Sequence, residues 1–315
     1  MRSILVYAGK KLLQMIIVLL IVSVIIFVLV RLSKTDPLAA IVGGKQTTPE
    51  ILAQLRAKFG LDKPLIMQYF SWITGIFRGD FGMSFKYQTE AGPLILARIP
   101  VTLGLVLFSS ILAMVIAIPC GVYASIKRDR PFDTVVSIIS LVLAGCPPFL
   151  MSLLAILFLA RFFPSYPFTG SYTTLSEYFV RMAAPSVALS FTMIALAFRM
   201  TRSSMIEQMQ SQYTTTALAK GVPKNQIAWK HNFRNAIIPV LSVVSIQIGS
   251  AIVGAVLVET VFSLSGLGTL LIDSIKASDY ALEQDITLML VFVFLLISMI
   301  VDILYAVIDP RIRLK

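Results

Sequence analysis

An ionisable side chain inside a long apolar run is costly, which makes it the first place to look for transport chemistry or a proton relay. Two such residues stand out: Asp302, in the last third of the final apolar run, and Glu259, at the end of the run before it. Asp302 fits either a substrate or proton path or a structural acid that pairs with a neighbouring helix. Pro147-Pro148 follows Gly145 within another apolar run, where two prolines interrupt the backbone ladder and kink a helix. Such a kink can line a cavity or serve only packing. The sole histidine, His231, lies among Lys230, Asn232 and Arg234 with no second histidine or cysteine near it, a surface setting rather than a catalytic or metal one. Cys120 and Cys146 both fall inside apolar runs, with neither metal-ligand nor disulfide-framework spacing. Gly43-Gly44-Lys45 lacks the first glycine of a phosphate-binding loop. No serine elbow, Cys/His pair or paired-carboxylate arrangement is present in the apolar runs. The expectation is a chain with no catalytic residue, no metal site and no cofactor of its own.

What must position these residues is a set of membrane helices. Of the 315 residues, 57% are hydrophobic and 14% charged, with a mean hydropathy of +0.86, whereas a soluble domain carries roughly 25% charged residues. A helix needs about 20 apolar residues to cross a ~30 Å hydrocarbon core. Six runs qualify: Leu12 to Leu32, Val101 to Ile126, Val135 to Ala160, Ala183 to Phe198, Ala236 to Val258 and Ile286 to Ile308. The fourth is short, and the expectation is that it continues as helix into water beyond Arg199. The first exceeds the apolar core of a secretion signal and is followed by no small-residue cleavage site, so it is expected to be a retained anchor. Strands of a membrane barrel would alternate apolar and polar residues, which these runs do not. The fold class is therefore all-α and polytopic.

With the N-terminus inside, the cytoplasmic segments hold 15 of the 27 basic residues against four acids, while the outer segments hold 12 bases and 11 acids. This positive-inside bias, carried by both termini and the short Lys127-Arg-Asp-Arg130 turn, predicts cytoplasmic N- and C-termini. The basic pI then reflects topology and requires no nucleic acid.

Residues 1–100 divide into the anchor helix and a long outer loop. Thr47-Thr-Pro-Glu50 resembles a capping box ahead of Ile51, Leu52, Leu55 and Phe59, and after Gly60 to Pro64 a second apolar stretch carries Tyr69, Phe70, Trp72 and Phe77. Short helices on the outer surface are expected, either packing over the span ends or serving gating and docking. Residues 101–315 hold the other five spans. They include one large cytoplasmic excursion, residues 199–235, where a helix over Ser203 to Lys220, a break at Gly221-Val222-Pro223 and a second short helix over Lys224 to Asn232 are expected. Such a helix-break-helix is either a docking element for a cytoplasmic partner or a solvated connector.

Within this excursion, Tyr213-Thr-Thr-Thr-Ala217-Leu-Ala-Lys220-Gly221, then His231-Asn-Phe-Arg234-Asn235-Ala236 and Pro239, closely resembles the coupling motif of binding-protein-dependent ABC importer permeases of the dipeptide/oligopeptide/nickel branch. Thr215, Thr216 and Ala217 stand at the first positions of the wider family's Glu-Ala-Ala motif, and His231 to Arg234 replace its Ile-x-Leu-Pro ending, as in that branch. Residues 31 to 37, Phe59 to Pro64, Gly79 to Ser84, Arg98 to Thr102, Phe262 to Gly268 and Asp309 to Arg313 resemble further family signatures in the same order. Ser33-Lys34-Thr35 departs from the Pro-Gly part of the first.

The resemblance implies a type I ABC importer transmembrane fold with six helices in a bacterial or archaeal plasma membrane. It implies a second homologous permease subunit, two cytoplasmic ATPase subunits that hold ATP and magnesium, and an extracytoplasmic substrate-binding protein. By the same resemblance Thr215, Thr216, Ala217, Ala219, Lys220, Gly221, Val222, Pro223, His231, Arg234 and Asn235 couple to the ATPases; Pro147, Pro148, Glu259 and Asp302 are pore or gating candidates from their own chemistry, as read above. Peptide is the first expected substrate class and nickel or a metal chelate the second. From other classes, a secondary transporter and a membrane-anchored sensor or scaffold are the rivals, and ATP-dependent uptake separates the importer from both.

Overall fold

The computed structural model describes residues 2–32, 48–58, 60–167 and 174–308. The resembling stretches at 33–37 and 309–313, the Gly43-Gly44-Lys45 fragment, and Thr47 and Phe59 lie outside these residues. The described chain is helical: α1 (Arg2–Leu32), α2 (Pro49–Lys58), α3 (Leu65–Phe77), α4 (Ala91–Leu96), α5 (Ile99–Ile126), α6 (Pro131–Gly145), α7 (Pro148–Phe162), α8 (Leu175–Met209), α9 (Gln212–Ala219), α10 (Phe233–Phe262), α11 (Leu267–Lys276) and α12 (Tyr280–Ile308). A helical turn, Lys224–Gln226, and a π-helical turn, Ile227–Asn232, lead into α10. Among the described residues, five helices are long and apolar enough to cross a membrane, and α6 with α7 adds a sixth crossing if the bent pair is one span.

Three expectations change. The third span is not one kinked helix: α6 and α7 are separate 15-residue helices meeting at 107°. Each is about 22 Å long at 1.5 Å per residue, short of the ~30 Å core. Pro147 cannot donate to the ladder, its extended backbone at ψ 147° turns the chain away, and Pro148 opens α7 as its first residue. The fourth span continues as helix past Arg199, as expected, in the 35-residue α8 that opens at a Thr174 cap whose hydroxyl accepts from the Glu177 N–H, but the helix expected over Ser203 to Lys220 is divided, α8 ending at Met209 and α9 starting at Gln212. The short helix expected over Lys224 to Asn232 is not free-standing; its residues run on as the first turns of α10.

The chain forms two compact units interleaved in sequence: Met1–Gly9, Leu103–Leu264 and Ile297–Lys315 make one, Lys10–Thr102 and Ser265–Leu296 the other. In the first, α10 packs on α8 and α7, and α8 also on α6. Small residues allow the close approach: a Cβ at Gly121 would fall 2.7 Å from Thr201 Cβ and 3.1 Å from the Phe198 carbonyl oxygen, and one at Gly254 would fall 2.9 Å from Leu189 Cδ1. Ala117, Ala124, Ala197, Phe198, Val240 and Val244 form the buried cluster at this crossing. In the second unit, Ile26, Val30, Phe85, Tyr280 and Leu288 form the core.

Candidate coupling loop and buried polar ties

The helix α9 ends in a Schellman closure. Gly221 lies in the left-handed region at φ 76°, its N–H donates to the Leu218 carbonyl at 2.9 Å, and the Val222 N–H donates to the Ala217 carbonyl at 3.2 Å. A left-handed residue at this point is why the position is glycine. A Cβ there would meet nothing within 4 Å, so within this chain the constraint is conformational rather than steric. Pro223 then precedes the turn that leads to α10, and the Ile227 N–H donates back to its carbonyl at 3.0 Å.

One face of this loop is tied down and the other is open. Thr214 and Asn232 are both buried, and the Thr214 hydroxyl donates to Asn232 Oδ1 at 2.7 Å, with the Gln208 carbonyl 2.8 Å away as its other acceptor. Asn232 closes the π turn, whose Ile227 and Ala228 are also buried. The sequence-predicted residues lie mostly on the open side: Thr215, Thr216, Ala219, Lys220, Gly221, Pro223, His231, Arg234 and Asn235 are exposed, while Ala217 and Val222 are half-buried. Tyr213, Leu218 and Trp229 are large exposed side chains beside them. The structure thus brings the two halves of the motif, residues 213–223 and 231–235, together through a buried pair that motif matching did not single out.

In the same unit, the Asp133 carboxylate near the start of α6 receives both Nε and Nη2 of Arg202 on α8, the latter at 2.6 Å. The Asp129 N–H donates to it at 3.0 Å. Asp133 is nearly fully buried and Arg202 about a quarter exposed. This two-toothed fit is the geometry in which a guanidinium and a carboxylate bind most strongly.

The pore candidates are scattered. Pro147 and Pro148 form the α6–α7 break, where the Cys146 carbonyl accepts from the Thr192 hydroxyl at 3.4 Å, and a Cβ at Gly254 would lie 3.5 Å from Pro148 Cγ. Glu259 is fully buried in the last turns of α10, and Asp302 is half-buried on α12. Sequence reading missed two acids in the second unit, Asp279 and Asp285. Asp279 accepts from the Ser84 hydroxyl at 2.5 Å and from the Lys86 N–H at 3.0 Å. Asp285, 2% exposed, accepts from Trp72 Nε1 at 2.6 Å. Thr102 Oγ1 accepts from the Leu267 N–H at 2.9 Å. Family-like stretches far apart in sequence therefore meet: Gly79–Ser84 with the start of α12, and Arg98–Thr102 with Phe262–Gly268. The only sequence signal for these ties was the ordered run of short signatures, which names no pairs.

Comparison with known proteins shows the family. A family profile described as binding-protein-dependent transport system inner membrane component matches residues 117–314, and its N-terminal companion matches residues 4–106. A protein of Sinorhizobium fredii described as a peptide ABC transporter permease is 33% identical over 98% of this chain and 99% of its own length. A Brucella abortus protein described as a peptide transport system permease is 35% identical over 96% of this chain and 98% of its own. A glutathione transport system permease protein of Salmonella choleraesuis is 34% identical over 98% and 99%. The match spans the coupling loop, the broken span and both signature-bearing ends of the second unit. The chain belongs to the inner-membrane components of binding-protein-dependent ABC transport systems: it is a multi-pass permease subunit and not an enzyme.

Proposed function

We propose that this chain is one of two homologous permease subunits forming a pore that imports peptides by alternating access, with two cytoplasmic ATPases driving it and an extracytoplasmic binding protein delivering substrate. ATP and magnesium belong to the ATPases. The observation that carries the coupling role is the loop itself. A short helix closed by a left-handed glycine presents Tyr213, Leu218 and Lys220 outward, with Trp229 exposed on the following turn, while Thr214 ties the helix's inner side to that turn, which enters α10. A force on that helix is delivered to a membrane span through a buried hydrogen bond and a continuous helix. This is what a rigid-body, two-state coupling requires. Peptide as the cargo rests on the names of the three relatives. Cytoplasmic termini rest on the charge bias, with Lys127, Arg128 and Arg130 in the turn before α6.

The test is uptake into sealed vesicles containing this chain, its partner permease and the ATPases, with the binding protein loaded in parallel with labelled peptide or chelated nickel. ATP-dependent peptide uptake is expected; uptake of nickel alone would replace the substrate class, and uptake without ATP would overturn the importer mechanism. Gly221→Trp should leave the protein inserted while abolishing transport and ATPase association. Undiminished co-purification of the ATPases would remove the docking role from this loop.

A further inference from the structure

Arg31 sits near the end of the first span, and its surroundings are unusual for a half-buried cation. Its Nε and Nη2 donate to Gln68 Oε1 at 3.3 and 3.2 Å, and its Nη1 donates to the Phe27 carbonyl at 3.3 Å and to Gln284 Oε1 at 3.2 Å. The guanidinium carbon stands 3.4 Å from the centre of the Phe27 ring. Among the described residues the acceptors of Arg31 are neutral oxygens, from Gln68, Gln284 and the Phe27 carbonyl. Every bond is also at the long end of the N–H to oxygen range, whereas an ionised oxygen would close to about 2.7–2.9 Å.

Among the described residues, Arg31 is also the one charged residue lining an apolar groove of about 390 Å³ formed by α1 and α3, with Val24, Phe27, Val28, Ile66, Tyr69 and Phe70 on its walls. Val24, Val28, Ile66 and Phe70 are exposed, so the groove is open along its side. Depth follows from the helix rise. The span Val6–Leu32 is centred on Leu19, which puts Val24 about 7 Å and Arg31 about 18 Å from its middle along the axis. The hydrocarbon half-thickness is about 15 Å. The apolar walls therefore lie at acyl-chain depth and the guanidinium at the level of the headgroups.

We propose that this groove is a site for an anionic phospholipid, its phosphate or acidic headgroup on Arg31 and one acyl chain along Val24, Val28, Ile66 and Phe70. A zwitterionic lipid would fit the same walls but would neutralise less of the charge. The guanidinium stacks on Phe27 and keeps one Nη2–H beyond its bond to Gln68; a phosphate oxygen would take that N–H and compete with the neutral Gln68 oxygen for the Nε/Nη2 fork.

Trp72 reports on the groove, since it stacks on Phe27 at 6.1 Å and lies edge-on to Tyr69 at 6.2 Å. The chain has two tryptophans, so the full-length protein carrying Trp229→Phe leaves Trp72 as the sole emitter. In mixed micelles, phosphatidylglycerol with brominated chains should quench Trp72 with about fivefold higher apparent affinity than brominated phosphatidylcholine, the scale of one basic side chain at an anionic surface. Arg31→Gln should bring that ratio to about one. Val28→Phe leaves the Arg31 contacts intact and should weaken quenching by both lipids. Emission in unbrominated lipid checks that each variant is folded. Equal quenching by the two lipids in the unaltered groove would mean annular lipid only, and an unchanged ratio in Arg31→Gln would remove the cation from the site. Displacement by inorganic phosphate alone would show an anion site without a lipid. Loss of quenching on adding the partner subunits would show that protein covers the groove. Each of these four results overturns the proposal.

Discussion

At Gly221 the backbone, not the available room, limits substitution. Its φ of 76° is in the left-handed region while a Cβ would meet open space. Ala should cost about 1 kcal/mol there, Asn less, and a β-branched residue more. Vesicle uptake is therefore expected to rank Gly221, Gly221→Asn, Gly221→Ala, Gly221→Val in falling order. Sterics at the docking surface alone would instead rank the variants by size and make Ala better than Asn. A second residue-scale expectation concerns Asp133, buried and held by Arg202. Arg202→Leu leaves that carboxylate without its cation and should destabilise the protein by about 3 kcal/mol, read as a lower midpoint of thermal unfolding in detergent. Asp133→Asn should cost less, because the partly exposed Arg202 can reach water. Neither partner announced the pair in sequence: they are 69 residues apart and each reads as a topological charge.

The elements on which the proposed coupling rests are α9 and the turn before α10. Thr214→Val keeps the shape of the side chain and removes its hydroxyl, so it should cost about 1–2 kcal/mol locally. If the tie to Asn232 transmits motion, the variant should lower transported substrate per ATP hydrolysed while the ATPases still co-purify, and Thr214→Ser should restore the ratio. A hydrogen bond of purely structural value would lower the amount of assembled complex and leave the ratio unchanged. The crossing of α10 with α8 and α7 allows a parallel test. At Gly254 the nearest obstacle is the end of the flexible Leu189 side chain at 2.9 Å, which can shift for a methyl group. Gly254→Ala should be tolerated and Gly254→Leu should not, with the yield of folded protein in mild detergent as the readout.

For the whole molecule, the cytoplasmic placement of the turn before α6 is testable with a single cysteine. In a background lacking Cys120 and Cys146, Arg128→Cys should react with an impermeant thiol reagent in inside-out vesicles and not in intact cells. The reverse pattern would invert the topology. Much at this scale was legible in the sequence, and for one reason. In a bilayer, apolarity over about 20 residues is demanded by the solvent, so the runs that became α1, α5, α10 and α12 declare themselves without any knowledge of their neighbours. The left-handed stop at Gly221 was legible too, because helix ends are set by local backbone preference. What depends on contacts between distant residues was not legible. Two prolines predict an interruption, but the 107° between α6 and α7 is set by packing against α8 and α10. Polar side chains carry no label saying which will meet, so Ser84 with Asp279, Trp72 with Asp285, and Thr214 with Asn232 emerge only once the helices are assembled. The sequence by itself determined a helical membrane permease with a helix-break-helix loop closed at Gly221, since solvent and local backbone chemistry act on each segment alone. Only the tertiary structure decided which buried donors and charges are satisfied, because that requires side chains from helices far apart in the chain to arrive at the same place.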